Sequence, residues 1–188
     1  MTALGGLMAF LLLSSATFGA LPARADAPGA PSVPSYAVTL TAYNAVPEQT
    51  DGDPLVTASG AYSNPEVVAA RSRDLKDELP FGTIIEIAGP SIKDDSCGYH
   101  IVAPIVGYRV IADTMNARYT DRIDILFSTK SNYVMGNGST KNAGMILGIC
   151  AGASIRVVGH VNTNRIPQTQ EELAALVTGG TNSLVALK

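Results

Sequence analysis

Residues 36–160 of this chain read as a mostly-β fold, a small barrel or sandwich, followed by a C-terminal tail that carries a short helix. Three observations predict it. Short runs rich in β-branched and aromatic residues recur along the chain, many of them alternating apolar and polar positions. Gly and Pro, 18 and 11 residues respectively, punctuate those runs as turn signals rather than clustering in one place. Before residue 160 only one segment carries a helix start signal, Ser128 ahead of a short run ending near Met135.

Taken in order, Ala37-Val38-Thr39-Leu40-Thr41-Ala42-Tyr43 alternates and forms the first expected strand, and residues 44–53 are a polar loop. Val67-Val68-Ala69-Ala70 is a brief apolar strand. Pro80-Phe81-Gly82 is a turn into the strand Thr83-Ile84-Ile85-Glu86-Ile87-Ala88, with Glu86 outward. Residues 89–95 are a turn-rich excursion, and residues 101–112 read as one or two strands broken near Pro104 and Gly107. Residues 123–127 are the next strand. After the helix predicted from Ser128, residues 136–144 form a Gly- and Asn-rich loop, and residues 154–159 close the domain. Thr169-Gln170-Glu171-Glu172 is a capping box that opens a helix over residues 170–177, with Gly179-Gly180 expected to end it. Residues 161–188 form the tail.

The first 25 residues read as a cleaved export signal. Residues 1–22 carry no charged side chain, Leu7-Met8-Ala9-Phe10-Leu11-Leu12-Leu13 forms an apolar centre, and Ala23-Arg24-Ala25 is a small-x-small cleavage site. A retained membrane anchor is the alternative. Residues 26–35 are a Pro/Ala/Ser linker. Export to a bacterial periplasm or cell surface, or secretion, follows. The two cysteines, Cys97 and Cys150, are then expected to form one disulfide, the alternative being two buried thiols. The spacing of Cys97, His100, Cys150 and His160 matches no zinc pattern, so no metal and no cofactor are expected. The net charge of −3, with no basic cluster and no tryptophan, argues against nucleic acid as a partner. A monomer is expected.

The chemistry-bearing residues are carboxylates set into apolar strands. In Asp121-Arg122-Ile123-Asp124-Ile125-Leu126-Phe127, period-2 alternation puts Ile123, Ile125 and Phe127 on one face and Asp124 on the other. Asp113 ends a second apolar run, Tyr108-Arg109-Val110-Ile111-Ala112-Asp113-Thr114. Two strand-borne acids in apolar surroundings are the groups that glycosidic-bond chemistry uses. The other reading of the same pattern is structural, with each aspartate capping a turn or pairing with Arg118 or Arg122.

Four motifs fall in order along the domain: Thr57-Ala58-Ser59-Gly60; Ser72-Arg73-Asp74-Leu75 leading to Leu79-Pro80-Phe81-Gly82-Thr83; Ala112-Asp113-Thr114-Met115-Asn116; and Arg122-Ile123-Asp124-Ile125. The series resembles the 3D (three-aspartate) domain family, a six-stranded double-psi β-barrel that includes the catalytic domain of membrane-bound lytic transglycosylase A. Its first two elements are also similar to rare lipoprotein A and expansin-like barrels. The resemblance covers residues 37–160. It implies cleavage of the β-1,4 bond between N-acetylmuramic acid and N-acetylglucosamine in peptidoglycan strands, giving a 1,6-anhydro sugar without water. Asp124 is then the single catalytic acid/base, Asp113 is expected to position Asp124 or the sugar through hydrogen bonds, and Asp74, the third family aspartate, has either a site role or a turn-capping role.

Thr57, Ser59, Gly60 and Asn116 would contact sugar, with an ordinary turn as the alternative for the first three, and Tyr43 and Tyr62 are candidates to stack on rings, with ordinary packing as the alternative. The segment between the last two aspartates, Thr114-Met115-Asn116-Ala117-Arg118-Tyr119-Thr120, replaces the glycine-rich stretch of the transglycosylase. Insertions at residues 93–99 and 136–149 are expected to rebuild a groove wall. The competing expectations are a non-catalytic glycan-binding barrel and a cell-envelope interaction domain.

Overall fold

Six strands close into one barrel in the computed structural model, which describes residues 33–50, 52–91 and 97–185. The expected signal at residues 1–25 and most of the linker lie outside the described residues. The strands are β1 (Ser35–Asn44), β2 (Val68–Arg71), β3 (Thr83–Ala88), β4 (Tyr108–Thr114), β5 (Arg122–Phe127) and, after a small hairpin of β6 (Asn132–Val134) and β7 (Thr140–Asn142), β8 (Cys150–His160). The order around the barrel is β1-β5-β2-β4-β3-β8. The pairs β1–β5 and β2–β4 are parallel and the other four are antiparallel. Three helices lie on this wall: α1 (Tyr99–Val106), α2 (Ala143–Leu147) and α3 (Gln170–Val185).

Strand β2 and much of β3, β4 and β5 are buried on both faces, which explains their nearly continuous apolar runs, while β1 and β8 keep part of one face exposed. Leu40, Ile85, Ile111, Ile123, Ile125 and Ile155 belong to one apolar cluster that α1 and α2 complete through Val102, Val106, Ala143 and Leu147. Val68, Ala70, Ile84, Val110 and Leu126 belong to a second, closed by Leu173 and Val177 of α3. The alternation read in β5 holds: Ile123, Ile125 and Phe127 take the first cluster, while Asp124 shares its face with Leu126.

Three expectations about local structure are corrected. Residues 101–106 are helical, not strand. The run Ile101-Val102-Ala103-Pro104-Ile105-Val106 is apolar throughout and carries no period, so tertiary packing decides. Val102 and Val106, one helical turn apart, are buried beside α2, while Ile101 and Ile105 stay part-exposed. Ser128 opens no helix. Its hydroxyl accepts from the Lys130 N–H at 3.1 Å, a local turn, and the chain then forms the β6–β7 hairpin. Residues 135–139, which include Asn137-Gly138, make the hairpin loop, with the Gly138 N–H bonded to the Met135 carbonyl and Gly138 at φ +78°. The loop expected over residues 136–144 therefore holds β7 and the start of α2, which Asn142 caps by accepting from the Gly144 N–H.

The tail helix starts where the capping box places it. The Thr169 hydroxyl accepts from the Glu172 N–H at 3.2 Å, and the Glu172 carboxylate accepts from the Gln168 N–H at 2.8 Å. It does not end at residue 177 but continues through Gly179-Gly180 to Val185. Each helical glycine costs about 1 kcal/mol, which weakens a helix without stopping it. Gln170 ties the helix to the barrel by pairing with both the N–H and the C=O of Tyr108, as a neighbouring strand would.

Two features lock this assembly. Cys97 and Cys150 form a disulfide across a sequence separation of 53, joining the start of α1 to the start of β8. In the chain-entropy account that cross-link contributes about 4 kcal/mol. The second is Arg109, a fully buried arginine on β4. Its guanidinium donates to the carbonyls of Ile105 and Val106 at the end of α1, and to those of Pro65, Val68 and Leu126. Burial pulls its pKa down to about 10, so it stays charged at neutrality. Phe127 packs against it, its ring centroid 5.8 Å from the guanidinium carbon. One side chain thus satisfies the end of α1 and the ends of β2 and β5 together. Arg109→Leu is predicted to cost at least about 3 kcal/mol in urea unfolding, since it orphans several buried carbonyls at once. A loss below about 1 kcal/mol would contradict that role.

Candidate active site

Asp124 and Asp113 reach one cavity because of strand register. Ala70 of β2 pairs with Asp124 across the antiparallel β2–β5 ladder and with Asp113 across the parallel β2–β4 ladder. The two acids therefore flank one alanine on the same face, two strand spacings or roughly 9–10 Å apart at the backbone. The second pairing depends on a bulge. Between Ala69↔Ile111 and Ala70↔Asp113 the register shifts by one residue, leaving Ala112 extra. Without that shift Asp113 would turn to the opposite face. Ala70, only 3% exposed, leaves a hollow between the carboxyls that a larger side chain would fill.

The hollow opens into a cavity of about 750 Å³, lined by Ala70, Tyr43, Ala58, Met115, Asp113 and Asp124 among others. A smaller cavity of about 280 Å³ shares Ala42, Met115, Tyr119 and Asp124 with it, and adds Thr41, Arg122, Gly148 and Ile149. Asp124 thus sits where the two lobes meet. Gly148 and Ile149 bring the segment between α2 and the disulfide into the smaller lobe, while residues 93–96 of the other expected insertion lie outside the described residues.

The two carboxyls have different surroundings. Asp124 receives one hydrogen bond, from the Thr41 hydroxyl at 2.6 Å, its register partner on β1. Burial raises its pKa to about 6; the Thr41 bond opposes this, the Asp113 charge adds to it, and Arg122 opposes it weakly. Among the described residues Asp124 makes no ion pair with an arginine. Asp113 accepts three hydrogen bonds, from the Ala58 N–H at 2.9 Å, the Thr114 N–H at 2.8 Å and the Tyr43 hydroxyl at 2.9 Å. Tyr43 keeps its proton: burial and the adjacent Asp113 both push its pKa well above 10. One acid is poised to carry a proton at mildly acidic pH, and the other is solvated by fixed dipoles.

The remaining expected site residues divide. Tyr43 and Asn116 line the larger lobe, but Tyr43 is buried with its hydroxyl committed to Asp113, so it presents no exposed ring. Thr57, Ser59 and Gly60 build the turn that holds Asp113 and do not line the cavity; Ala58 does. The Thr57 hydroxyl bonds Ser59 and the Ala61 carbonyl, Gly60 sits at φ +83°, and the Ser59 N–H docks on the Ala112 carbonyl. Tyr62 is 59% exposed and outside both lobes.

Asp74 stands apart on an exposed 3-10 turn, Arg73–Lys76. Its carboxylate accepts from the Asp121 N–H at 2.8 Å. Desolvation works to raise its pKa, but the donors of Asp121, Ser72, Asp74 and Leu75 together hold it below the usual range. Asp121 is a non-glycine residue at φ +51° just before β5, so Asp74 braces the entry of the strand that bears Asp124. Thr41, Ala70, Arg73 and Tyr119 are site residues that the sequence reading did not single out, and Arg118 and Arg122, considered there only as ion-pair partners of the aspartates, line the two lobes instead.

Asp124 also has a stability consequence. Its folded-state pKa near 6 exceeds the unfolded value near 3.9, so the favourable contribution is complete at low pH and is lost as pH rises through 6. Ionised at pH 7.5, the buried carboxyl costs about 3 kcal/mol. Asp124→Asn is therefore predicted to raise the melting temperature at pH 7.5 by roughly 5–10 °C, with the gain shrinking by pH 4. An unchanged or lower melting temperature at pH 7.5 would refute the desolvated setting. The chain matches no protein-family model and no curated protein sequence, so the reading of this site rests on its geometry.

Proposed function

We propose that this protein is a peptidoglycan-cleaving glycosidase, of the lytic transglycosylase type, with Asp124 as its single acid/base. The observation that carries the reading is the position of Asp124: a desolvated carboxyl, able to hold a proton to about pH 6, at the junction of two open lobes. A polymer lying through both lobes would present an internal bond to that acid. The closed mixed barrel with two parallel pairs, β1–β5 and β2–β4, supports assignment as a double-psi barrel of the 3D type. Export to the cell envelope belongs to the same proposal, since peptidoglycan lies there.

In this mechanism protonated Asp124 donates to the leaving glycosidic oxygen as positive charge builds at the anomeric carbon. Asp113, held by three donors, supplies a fixed negative charge on the same face and steadies that developing cation. The Asp124 carboxylate then takes the proton of the muramic acid 6-hydroxyl as that oxygen closes on the anomeric carbon. Asp124 ends the cycle protonated, and no water is consumed. Thr41 orients the acid in both steps by donating to one of its oxygens, leaving the other for the substrate. Asp74 and the turn from Thr57 to Gly60 act by placing β5 and Asp113, outside contact with sugar.

The second reading is a glycan-binding barrel without turnover, favoured by the openness of the groove to solvent on the side of the exposed loop residues Gln49 and Asn116. Incubation with purified sacculi separates the two. Wild type is expected to release anhydromuropeptides, and Asp124→Asn to lose at least about 100-fold of that rate. Release of reducing-end products instead would indicate hydrolysis, while binding without release would establish the second reading. Because the acid must be protonated, kcat/KM is predicted to fall as pH rises above about 6. Thr41→Val, which removes the bond opposing the upward shift, is predicted to move that limb to higher pH. An unmoved limb would show that a different group titrates.

A further inference from the structure

The larger lobe and its neighbour carry positive charge that acid/base chemistry does not use. Arg73 and Arg118 line the larger lobe, and Arg122 lines the smaller one. Arg118 and Arg122 stack on Tyr119 at 4.7 and 5.0 Å from the ring centroid, and Arg118 also donates to the Tyr119 hydroxyl at 2.7 Å. Tyr119 itself lines both lobes. The stack therefore straddles the junction at which Asp124 sits. Arg122 and Asp124, two residues apart on β5, share a strand face. Among the described residues none of the three arginines makes an ion pair.

The chain has 13 Lys and Arg residues against 16 Asp and Glu, yet three arginines meet at one groove. Glu48, Asp113 and Asp124 are the acids of the lining; Glu48 is exposed on the far loop, and Asp113 already accepts three donors. Two of the guanidinium planes are held in place by the aromatic ring, so less freedom is lost when their donor edges engage an anion. Neutral sugar hydroxyls have no need of such a rim. Carboxylates do, because guanidinium forks match them in shape and charge.

We propose that Arg73, together with Arg118 and Arg122 stacked on Tyr119, forms a carboxylate-recognition rim that selects glycan strands bearing acidic lactyl or peptide arms over neutral ones. The inference rests on the glycan reading of the site and deepens it. The carboxylate has two sources: the free lactyl acid of a strand stripped of its peptides, or the acids of an attached stem peptide.

The test is calorimetric binding by the full chain in an Asp124→Asn background, which keeps the strands intact. Four probes are compared: a chitooligosaccharide, a peptide-stripped glycan of equal length, the same glycan with its lactyl acids converted to methylamides, and a stem-bearing strand. The stripped or the stem-bearing strand is expected to bind about tenfold more tightly than the methylamide and the chitooligosaccharide, and to lose that advantage at high salt. Arg73→Gln with Arg118→Gln is expected to abolish the advantage, so that acidic and neutral strands bind alike. Whichever acidic strand gains identifies the source. If the double variant unfolds, Arg73→Gln alone reads the same discrimination. Equal binding of acidic and neutral strands, or an advantage that survives in the arginine variants, overturns the rim and leaves the glycan reading standing. Failure of all four probes to bind overturns both.

Discussion

The site depends on one alanine that has two acidic neighbours. Ala70 lies in the middle strand of three, with Asp124 opposite it on one side and Asp113 on the other. Parallel and antiparallel ladders meet at this strand, so its register fixes both carboxyls at once. The bulge at Ala112 turns Asp113 to the shared face, and the small side chain of Ala70 leaves the space between them open. Removing the bulge would bury Asp113 in the opposite apolar cluster. Enlarging Ala70 would fill the hollow. Either change would leave the barrel recognisable and the acids apart.

From that placement the two carboxyls acquire opposite characters. Asp113 is surrounded by donors: two backbone N–H groups and the Tyr43 hydroxyl. Asp124 has the Thr41 hydroxyl alone and an apolar wall. Paired acids in unequal settings are how a single site holds a proton and a negative charge side by side. The cost appears in folding: the desolvated acid opposes stability once it ionises. Arg109, the cystine Cys97–Cys150 and two apolar clusters supply the rigidity that tolerates it.

Much of the barrel was legible because its strands alternate. Period-2 patterns mark β1 and β5, β-branched runs bounded by turn residues mark β3 and β8, and the capping box marks the start of α3. The failures share a cause. Residues 101–106 are apolar on every side, so only packing against α2 selects a helix. Ser128 has the chemistry of a cap, yet it closes a turn because Tyr133 and the Asn137-Gly138 turn favour a hairpin.

At the site, Asp113 and Asp124 were readable as acids inside apolar runs. That Asp74 stands apart was not, because its role is set by the backbone of Asp121, 47 residues away. Thr41 left a trace: Thr39, Thr41 and Tyr43 form the polar face of β1, opposite Val38, Leu40 and Ala42. The bulge at Ala112 left none, since it exists only relative to β2. The arginine stack on Tyr119 likewise depends on how the loop before β5 folds back. Asp124 is the residue on which these strands of argument meet. A carboxyl-carbon NMR titration of the isolated protein measures its ionisation directly. The account predicts a midpoint near pH 6 for Asp124, displaced downward in Asp113→Asn as the neighbouring charge is removed. A midpoint near 4, indifferent to that substitution, would contradict it.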